Sequence, residues 1–296
     1  DVYKRQDLIR SVPEDTVLTF ELIENQLEIS ALKFQADFST LPVGDFPVVE
    51  IQEFEREVAL PGKELSDLIE KTSFAMASQD VRYYLNGILL EVSPSQINVV
   101  ATDGHRLAWS SCEIKTDFTD EKIIIPRKSA LELQKLLNLY PDNVNIAFNS
   151  NQLKVFSDEY TFISKLIEGS YPDYEKVFPK GTEQKLKANK SLVQTALNRA
   201  AVLSNEKYRG VKFILEKDNL KICANNPSKE SAEEEVLVEY SGDSFEIGFN
   251  ISYVQESLSV ISNNEVEFVF FGSENSCLVK NIDDESLIHV IMPMRL

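Results

Sequence analysis

Histidine, cysteine and glycine are all scarce in this 296-residue sequence, and each shortage removes a class of site. With only two histidines, His105 and His289, a histidine-rich metal centre is excluded and histidine-dependent catalysis is disfavoured. Three cysteines lie far apart without a CxxC pair, which predicts neither a disulfide framework nor a zinc site and indicates a reducing, cytoplasmic setting. The ten glycines form no Walker-type or GxGxxG phosphate loop. We therefore expect no metal and no cofactor.

Basic side chains are outnumbered by acidic ones, 30 against 48, so the formal net charge is −18. Proteins that hold nucleic acid by attraction usually carry a basic excess, so any DNA contact has to be reconciled with this acidity. No apolar run reaches the length of about 18 residues that a membrane-spanning helix needs. The first residues, DVYKRQ, are polar and begin no signal peptide. Because they lack Met and lead straight into an apolar stretch, we expect an N-terminal part to be missing.

The sequence repeats itself with a period of about 120–125 residues, close to the size of one domain. The string YLNGILLE around Gly87 recurs as YRGVKFILE around Gly210, 123 positions later. NQL at position 25 recurs at position 151, and GDFP at position 44 recurs as GSYP, 125 positions later. These matches predict two complete units, 58–183 and 184–296. Residues 1–57 match only the second half of a unit, so we expect roughly 65–70 residues to precede them.

Each complete unit combines two amphipathic helices with several short antiparallel strands, which is an α+β class. Ser129 and Asn250 are expected in the first turn or at the cap of the second helix of each unit. A tandem of such units closes into a ring if each one rotates the next by a suitable angle. The helices are predicted at 63–77, 127–137, 191–203 and 251–261.

Two local strings carry candidate chemistry. In VVATDGHRLAW (99–109), a strand ends at Thr102 and Asp103-Gly104 signals a turn. One interpretation makes His105 a general base oriented by Asp103 in a hydrolase, and the other makes the string a structural turn with an exposed histidine. No GxSxG motif accompanies it. The apolar C-terminus, VIMPMRL, is either a core strand or the wall of a pocket for apolar partners.

Several motifs together resemble the bacterial DNA polymerase III beta subunit family, the sliding clamps. They are QDVRYYLNG from position 79, ATDGHRLA from 101, YPDY from 171, LSNEKYRGV from 203 and the terminal MPMRL. The resemblance runs through the whole chain. It implies a fold of tandem DNA-clamp domains, with 1–57 as the second half of the first domain, 58–183 as the second and 184–296 as the third.

The resemblance also implies a function without catalysis. Two full-length chains would form a homodimeric, head-to-tail ring around duplex DNA in the cytoplasm, with helices lining the hole and no membrane contact. The ring would tether the replicative DNA polymerase for processivity in DNA replication. It would bind short linear motifs of the polymerase, the clamp loader and repair proteins.

The resemblance further implies three sets of site residues. The partner-peptide pocket between the second and third domains would consist of Arg82, Leu85, Thr102, Gly104, His105, Arg106, Leu107, Pro172, Lys176, Val177, Ser276, Val290, Ile291, Met292, Pro293, Met294, Arg295 and Leu296. The DNA contacts would be Gln79, Tyr83 and Tyr84, together with Lys128 and Arg199 on the predicted helices. The subunit contact would join Ala36 and Phe38 to Val202 and Leu203. Lys176 and Glu274 depart from the family pattern, which bears on peptide preference.

A ring reconciles DNA contact with an acidic chain, because topology replaces attraction and basic residues need only line the hole. The helix predicted at 251–261 is an exception, since it has no Lys or Arg and carries Glu256. Two alternatives stay open: a clamp-like peptide-binding scaffold that does not encircle DNA, and a hydrolase using Asp103 and His105. A hydrolase predicts a polar cleft at His105, and a clamp predicts an apolar groove completed by the C-terminal residues.

Overall fold

The computed structural model describes residues 2–46, 53–54, 56–116, 119–282 and 284–295. The chain divides into two compact units, Asp1–Glu53 and Phe54–Leu296. The predicted boundary between residues 183 and 184 lies inside the second unit and stays a prediction. We call 58–183 the middle module and 184–296 the C-terminal module.

The described residues of the first unit form one α-helix, a short 3-10 helix (Val43–Asp45) and a three-stranded antiparallel sheet. Ile29 and Ala31 of its central strand are buried, whereas β1 is exposed along its whole length. The third strand, β3, is an edge of this sheet. The elements are α1 (Val2–Ser11), β1 (Thr19–Ile23), β2 (Gln26–Ala31) and β3 (Phe34–Ser39).

The second unit contains four helices and seventeen strands among the described residues. The helices are α2 (Gly62–Ser73), α3 (Arg127–Leu139), α4 (Lys190–Val202) and α5 (Ile251–Ser259). The middle-module strands are β4 (Glu57–Pro61), β5 (Gly87–Val92), β6 (Gln96–Thr102), β7 (Arg106–Glu113), β8 (Glu121–Pro126), β9 (Asn143–Phe148), β10 (Gln152–Phe156) and β11 (Thr161–Lys165). The C-terminal-module strands are β12 (Gln184–Asn189), β13 (Gly210–Glu216), β14 (Asn219–Asn225), β15 (Ser231–Leu237), β16 (Glu239–Tyr240), β17 (Phe245–Asn250), β18 (Glu265–Phe270), β19 (Cys277–Asn281) and β20 (Leu287–Ile291).

The two modules repeat the same order of elements, which confirms the predicted α+β class of repeated units. Apart from the short β16, the order strand, helix, four strands, helix, three strands occurs in both. One four-stranded sheet runs β11-β10-β9-β4, and another runs β15-β14-β13-β17. The remaining strands form one nine-stranded sheet, β16-β12-β18-β19-β20-β7-β6-β5-β8, which is continuous across both modules.

The helices form where apolar residues recur at helical spacing, and each packs that stripe against the sheets. Leu65, Leu68 and Ile69 of α2 enter the middle core, and Val193 and Leu197 of α4 enter the C-terminal core. Asn250 caps α5 by accepting a hydrogen bond from the Ser252 N–H group at 2.9 Å.

Ser129 lies in the first turn of α3, as predicted, and its hydroxyl accepts a hydrogen bond from Ser164 at 2.7 Å. The largest difference from the predicted helix ends is in α2. The α2 helix ends at Ser73 and not at Ala77. There the backbone tightens into i→i+3 hydrogen bonds, with the Ala75 N–H donating to the Thr72 carbonyl at 3.0 Å.

The modules meet where β20 pairs with β7, so that Val290 lies opposite Leu107. We call this junction, together with the helix ends beside it, the seam. His289 of β20 is fully buried in the seam, and its Nε2 lies 3.2 Å from the Lys71 carbonyl at the end of α2. Its ring also packs edge-on against Phe74, with the ring centroids 5.1 Å apart. Burial lowers the pKa of His289 from 6.5 to about 4.

We predict that His289 makes the stability of the seam depend on pH. Between pH 6.5 and about 4 the folded protein keeps this imidazole neutral while the unfolded chain protonates it. Acidification therefore favours unfolding, by up to about 1.4 kcal/mol per pH unit. Thermal unfolding should be measured across this pH range. In His289→Gln the stability should fall less steeply with decreasing pH than in the wild type, because glutamine keeps a donor for the Lys71 carbonyl but does not titrate. His105→Asn, at an exposed histidine, is the control; equal pH slopes in wild type and His289→Gln would contradict the prediction.

Candidate functional site: an apolar groove at the seam

The Asp103–Gly104 turn between β6 and β7 is held by its own side chains. The Asp103 carboxylate accepts hydrogen bonds from the N–H groups of His105 (2.9 Å) and Arg106 (3.1 Å). Gly104 has φ +89°, and a Cβ there would lie 2.9 Å from the Arg82 guanidinium, so the turn requires glycine. Arg82 is anchored on Asp80, and this hydrogen-bonded pairing lowers the pKa of Asp80 to about 2.

The C-terminal residues meet this turn. The Met292 N–H donates to the His105 carbonyl at 3.0 Å, directly after β20 ends. The Met294 N–H donates to the Gly248 carbonyl of β17 at 2.9 Å. The tail, residues 292–295, therefore runs from the turn of the middle module onto the C-terminal module.

An apolar cluster separate from the two module cores lies beside the turn. Leu107 and Val290 face each other across the β7–β20 pair and are both buried. We call this set the groove cluster. Its buried members are Leu89, Val100, Leu107, Ile124, Tyr174 and Val290, and its partly buried members are Tyr84, Trp109, Ile167, Tyr171, Val177, Phe178 and Leu278.

Residues 171–178, which we call the strap, contribute to one side of the groove cluster. The Tyr171 hydroxyl accepts a hydrogen bond from the Thr102 N–H at 3.0 Å. The Tyr174 hydroxyl donates to the Glu91 carboxylate at 2.6 Å. Val177 packs on the cluster, whereas Pro172 and Lys176 are exposed. Lys176 lies 2.8 Å from the Asp173 carboxylate, and this contact lowers the pKa of Asp173.

Arg106 and Ile291 lie on the opposite face of the same strand pair, because successive side chains of a strand alternate between faces. Ile291 is buried in the C-terminal core. The Arg106 guanidinium sits between the rings of Phe74 (5.2 Å) and Tyr253 (4.4 Å). The two residues therefore support the groove from behind and stay outside the groove cluster.

Arg106 links three groups at the seam. It donates to Asp103 at 3.1 Å and to the Phe74 carbonyl at 2.7 Å, and it pairs with Glu256 of α5. Its side chain is only 10% exposed. Glu256, the acidic residue on the α5 helix, therefore has a structural partner across the seam.

The other predicted pocket residues occupy varied positions. Thr102 is buried, and its hydroxyl accepts from the Gly104 N–H and donates to the Arg106 carbonyl. Leu85 is buried just before β5, and half-buried Ser276 immediately precedes β19. His105, Arg82 and Arg295 are exposed, and Met292, Pro293 and Met294 are half-buried. Leu296 lies outside the described residues.

The predicted DNA contacts do not share one environment. Gln79, Tyr83 and Lys128 are exposed, but Tyr84 packs against the groove cluster. Arg199 makes two hydrogen bonds to the Glu234 carboxylate, at 2.6 and 2.7 Å, which lower the pKa of Glu234. The charge of Arg199 is therefore already offset.

The predicted subunit-contact residues lie on two surfaces. Ala36 and Phe38 are half-buried on the edge strand β3. Val202, at the end of α4, is 79% exposed, and Leu203 beside it is half-buried.

The geometry does not favour acid–base chemistry at His105. Both Asp103 oxygens are engaged by the turn and by Arg106, and the His105 ring is exposed beside the turn. Within the described ranges, no group of three His, Cys, Asp or Glu side chains is arranged to hold a metal ion. None of the helices that the structure describes has both the length and the apolarity needed to cross a bilayer.

Sequence reasoning missed Phe74, Tyr253 and Glu91, which all support the groove or the seam. Glu91 carried a signal, because it is a single carboxylate inside the apolar strand GILLEV. Phe74 and Tyr253 resembled ordinary helix-face residues, since only the folded chain brings them to Arg106.

Comparisons with known proteins point to one family. The family model for the DNA polymerase III beta subunit, central domain, matches residues 59–173, and that for the C-terminal domain matches residues 175–295. The chain is 43% identical over 294 residues to the beta sliding clamp of Pseudomonas aeruginosa, covering 99% of this chain and 80% of that protein. It is 40% identical to the beta sliding clamp of Vibrio cholerae, and the match covers 98% of this chain and 79% of that protein. It is similar to a crystal structure of a Pseudomonas aeruginosa sliding clamp bound to griselimycin, with TM-score 0.95 and 43% identity over 99% of this chain and 80% of that one.

We predict that Arg106→Lys destabilises the seam by about 2–3 kcal/mol, because lysine keeps the charge but cannot donate to Asp103, Glu256 and the Phe74 carbonyl together. Chemical denaturation should detect this loss. Arg199→Lys is the matched control, since its pair with Glu234 lies on the surface, where ion pairs contribute little to stability. Equal losses in the two variants would show that Arg106 has no special role.

Proposed function

Because the chain belongs to the DNA polymerase III beta subunit (sliding clamp) family, we propose that it acts as a processivity clamp. In a ring with a second copy it encircles duplex DNA and tethers the replicative DNA polymerase in the cytoplasm. It is a binding scaffold without catalytic activity. The observation that carries this proposal is the contact of the tail with the Asp103–Gly104 turn, beside the groove cluster at the seam.

The groove suits a short apolar peptide segment. Pockets of this kind combine an apolar floor with a few fixed polar groups. Partly buried Val177 supplies apolar surface over the buried Leu107 and Val290, and the half-buried Met292 and Met294 add adaptable side chains. The partners are the polymerase, the clamp loader and repair proteins, each through a short linear motif.

The repeat supports closure of a homodimeric ring. In the seam, the last strand of one module pairs with β7 of the preceding module. The repeat makes β15 the counterpart of β7, and makes β3 the counterpart of β20. Both β3 and β15 are sheet edges among the described residues. Pairing β3 of one copy with β15 of the other repeats the seam contact between chains.

The predicted subunit-contact residues suit this pairing. The buried residues of α2 and α4 correspond at a constant offset, with Leu65 matching Val193 and Ile69 matching Leu197. The same offset places Val202 where Phe74 stands at the seam. The exposed Val202 and the neighbouring Leu203 are therefore suited to contact the partner copy.

The peptide proposal predicts that deleting residues 292–296 abolishes binding of a polymerase C-terminal peptide while the fold persists. The loss should be at least about 100-fold, because the deletion removes one wall of the groove and both methionines. Fluorescence polarisation measures the affinity, and circular dichroism checks the fold. Leu139→Ser, which removes an exposed leucine from the end of α3, is the control and should bind normally. Unchanged affinity in a folded deletion variant would refute the peptide site.

DNA contact in this proposal is weak and independent of sequence. Topology retains the DNA, so a few cations on the helices suffice and the acidic excess is tolerated. Lys128 at the start of α3 is exposed, and no carboxylate of the described residues lies within ion-pair distance of it. The Arg199–Glu234 pair favours the second candidate, a scaffold that binds peptides without encircling DNA.

The DNA proposal predicts a difference between Lys128→Ala and Arg199→Ala. Losing Lys128 removes one phosphate contact, so the slope of log binding constant against log salt concentration should fall in magnitude by about 0.9. Losing Arg199 should change the slope less, because Glu234 already offsets its charge. Anisotropy of a labelled duplex at several salt concentrations gives both slopes. If neither substitution affects the binding or its slope, the non-encircling scaffold becomes the better description.

A further inference from the structure

Two tyrosine hydroxyl groups, both in the first half of the strap, connect it to the sheet by hydrogen bonds. Tyr171 is hydrogen-bonded to the Thr102 N–H beside the turn, and Tyr174 is hydrogen-bonded to Glu91. We propose that Glu91 is a positioning residue for the partner-peptide pocket, and that it acts by holding Tyr174 and, through it, the strap. This inference rests on the proposed function, because it assigns a role at the same groove.

Glu91 is unusual for its location. Every residue of β5 is buried, and Glu91 itself is 9% exposed. Burying a carboxylate costs free energy unless hydrogen bonds or charges compensate it. Lys122 of β8 and Asn98 of β6 lie directly opposite it on the two neighbouring strands. Three strands therefore cooperate to keep this acceptor in place.

The contacts of Glu91 show what this location achieves. Lys122 Nζ lies 2.5 Å from one carboxylate oxygen, and the Tyr174 hydroxyl lies 2.6 Å from the other. The Asn98 amide is 3.4 Å from that second oxygen. The exposed lysine compensates the charge, which leaves the second oxygen as a fixed, strong acceptor for Tyr174. Burial and the hydrogen bond to Glu91 both raise the pKa of Tyr174, so its hydroxyl stays a donor.

The fixed position of Tyr174 also determines the positions of its neighbours in the groove cluster. Its ring is buried among Leu107 and Val290, which come from the two modules. The short 3-10 turn Tyr174–Val177 begins at this tyrosine, so the place of its ring decides where Val177 meets the groove cluster. Tyr171 fixes the start of the strap against Thr102. Without the hydrogen bond to Glu91, the strap would no longer hold Val177 in a fixed position against the groove cluster.

Tyr174→Phe tests the proposal, because it removes one hydroxyl and keeps the ring. Tyr240→Phe is the matched control: this tyrosine is also buried and its hydroxyl also donates a hydrogen bond, with the Gln184 side-chain oxygen and the Asp243 carbonyl within reach. It lies on β16, at the far edge of the nine-stranded sheet from β5 and β8. Amide hydrogen exchange of residues 171–178 and polarisation of a polymerase C-terminal peptide are measured in both, with melting temperature as the stability reference. Glu91→Gln is the conservative variant of the acceptor, since its amide oxygen can still accept the hydrogen bond from the Tyr174 hydroxyl.

We expect Tyr174→Phe to speed exchange in the strap and to weaken peptide binding by about 5- to 10-fold. Glu91→Gln should retain most of the affinity, and Tyr240→Phe should leave strap exchange and affinity unchanged even if it lowers the melting temperature. Unchanged strap exchange and affinity in Tyr174→Phe would overturn the proposal, as would equal losses of affinity in Tyr174→Phe and Tyr240→Phe.

The two proposals fail in different ways. If the wild-type chain does not bind the peptide, the proposed function fails, and strap exchange in Tyr174→Phe still decides whether Glu91 holds the strap. If the wild-type chain binds but neither readout responds to Tyr174→Phe, the groove stands and the role of Glu91 is withdrawn.

Discussion

The pairing of β20 with β7 is the contact on which the rest of the site depends. It turns two separate sheets into one and sets Val290 opposite Leu107. Side chains alternate along a strand, so this one register sends Leu107 and Val290 to the groove and Arg106 and Ile291 to the opposite face. A slip by one residue would exchange the two sets, placing a guanidinium in the groove and leaving the seam without its ion pair.

Buried polar groups hold the groove in shape, although its floor is apolar. Asp103 closes the turn with two backbone hydrogen bonds, Arg106 joins the two modules behind it, and Glu91 holds the strap. Arg106 and Glu91 are costly to bury alone and are compensated by partners from other elements, whereas Asp103 is held within its own turn. Apolar contacts would allow the elements to slide, whereas these directional bonds specify where the elements sit.

Charge serves two separate purposes in this chain. At the seam, Arg106 and Glu256 form a contact between modules, which explains an acidic residue on a helix that otherwise lacks charge. On the surface, pairs such as Arg199 with Glu234 offset basic residues and contribute little to stability. A net charge of −18 is compatible with DNA contact only if retention does not depend on attraction. The repeated seam geometry offers that condition, because the same contact between two copies would close a ring.

The sequence by itself determined the local elements and the repeat. Apolar spacing located the four helices of the second unit to within a few residues, and Asp103-Gly104 identified the turn, because these signals act between near neighbours in the chain. The resemblance of the motifs also brought the turn and the terminal MPMRL into one pocket. Only the tertiary structure decided which face Arg106 takes, what Glu256 pairs with, that Tyr84 packs on the groove cluster and that Arg199 is already paired. Those outcomes depend on pairings between residues far apart in the chain, such as β20 with β7 and Tyr174 with Glu91, and no local pattern contains their register.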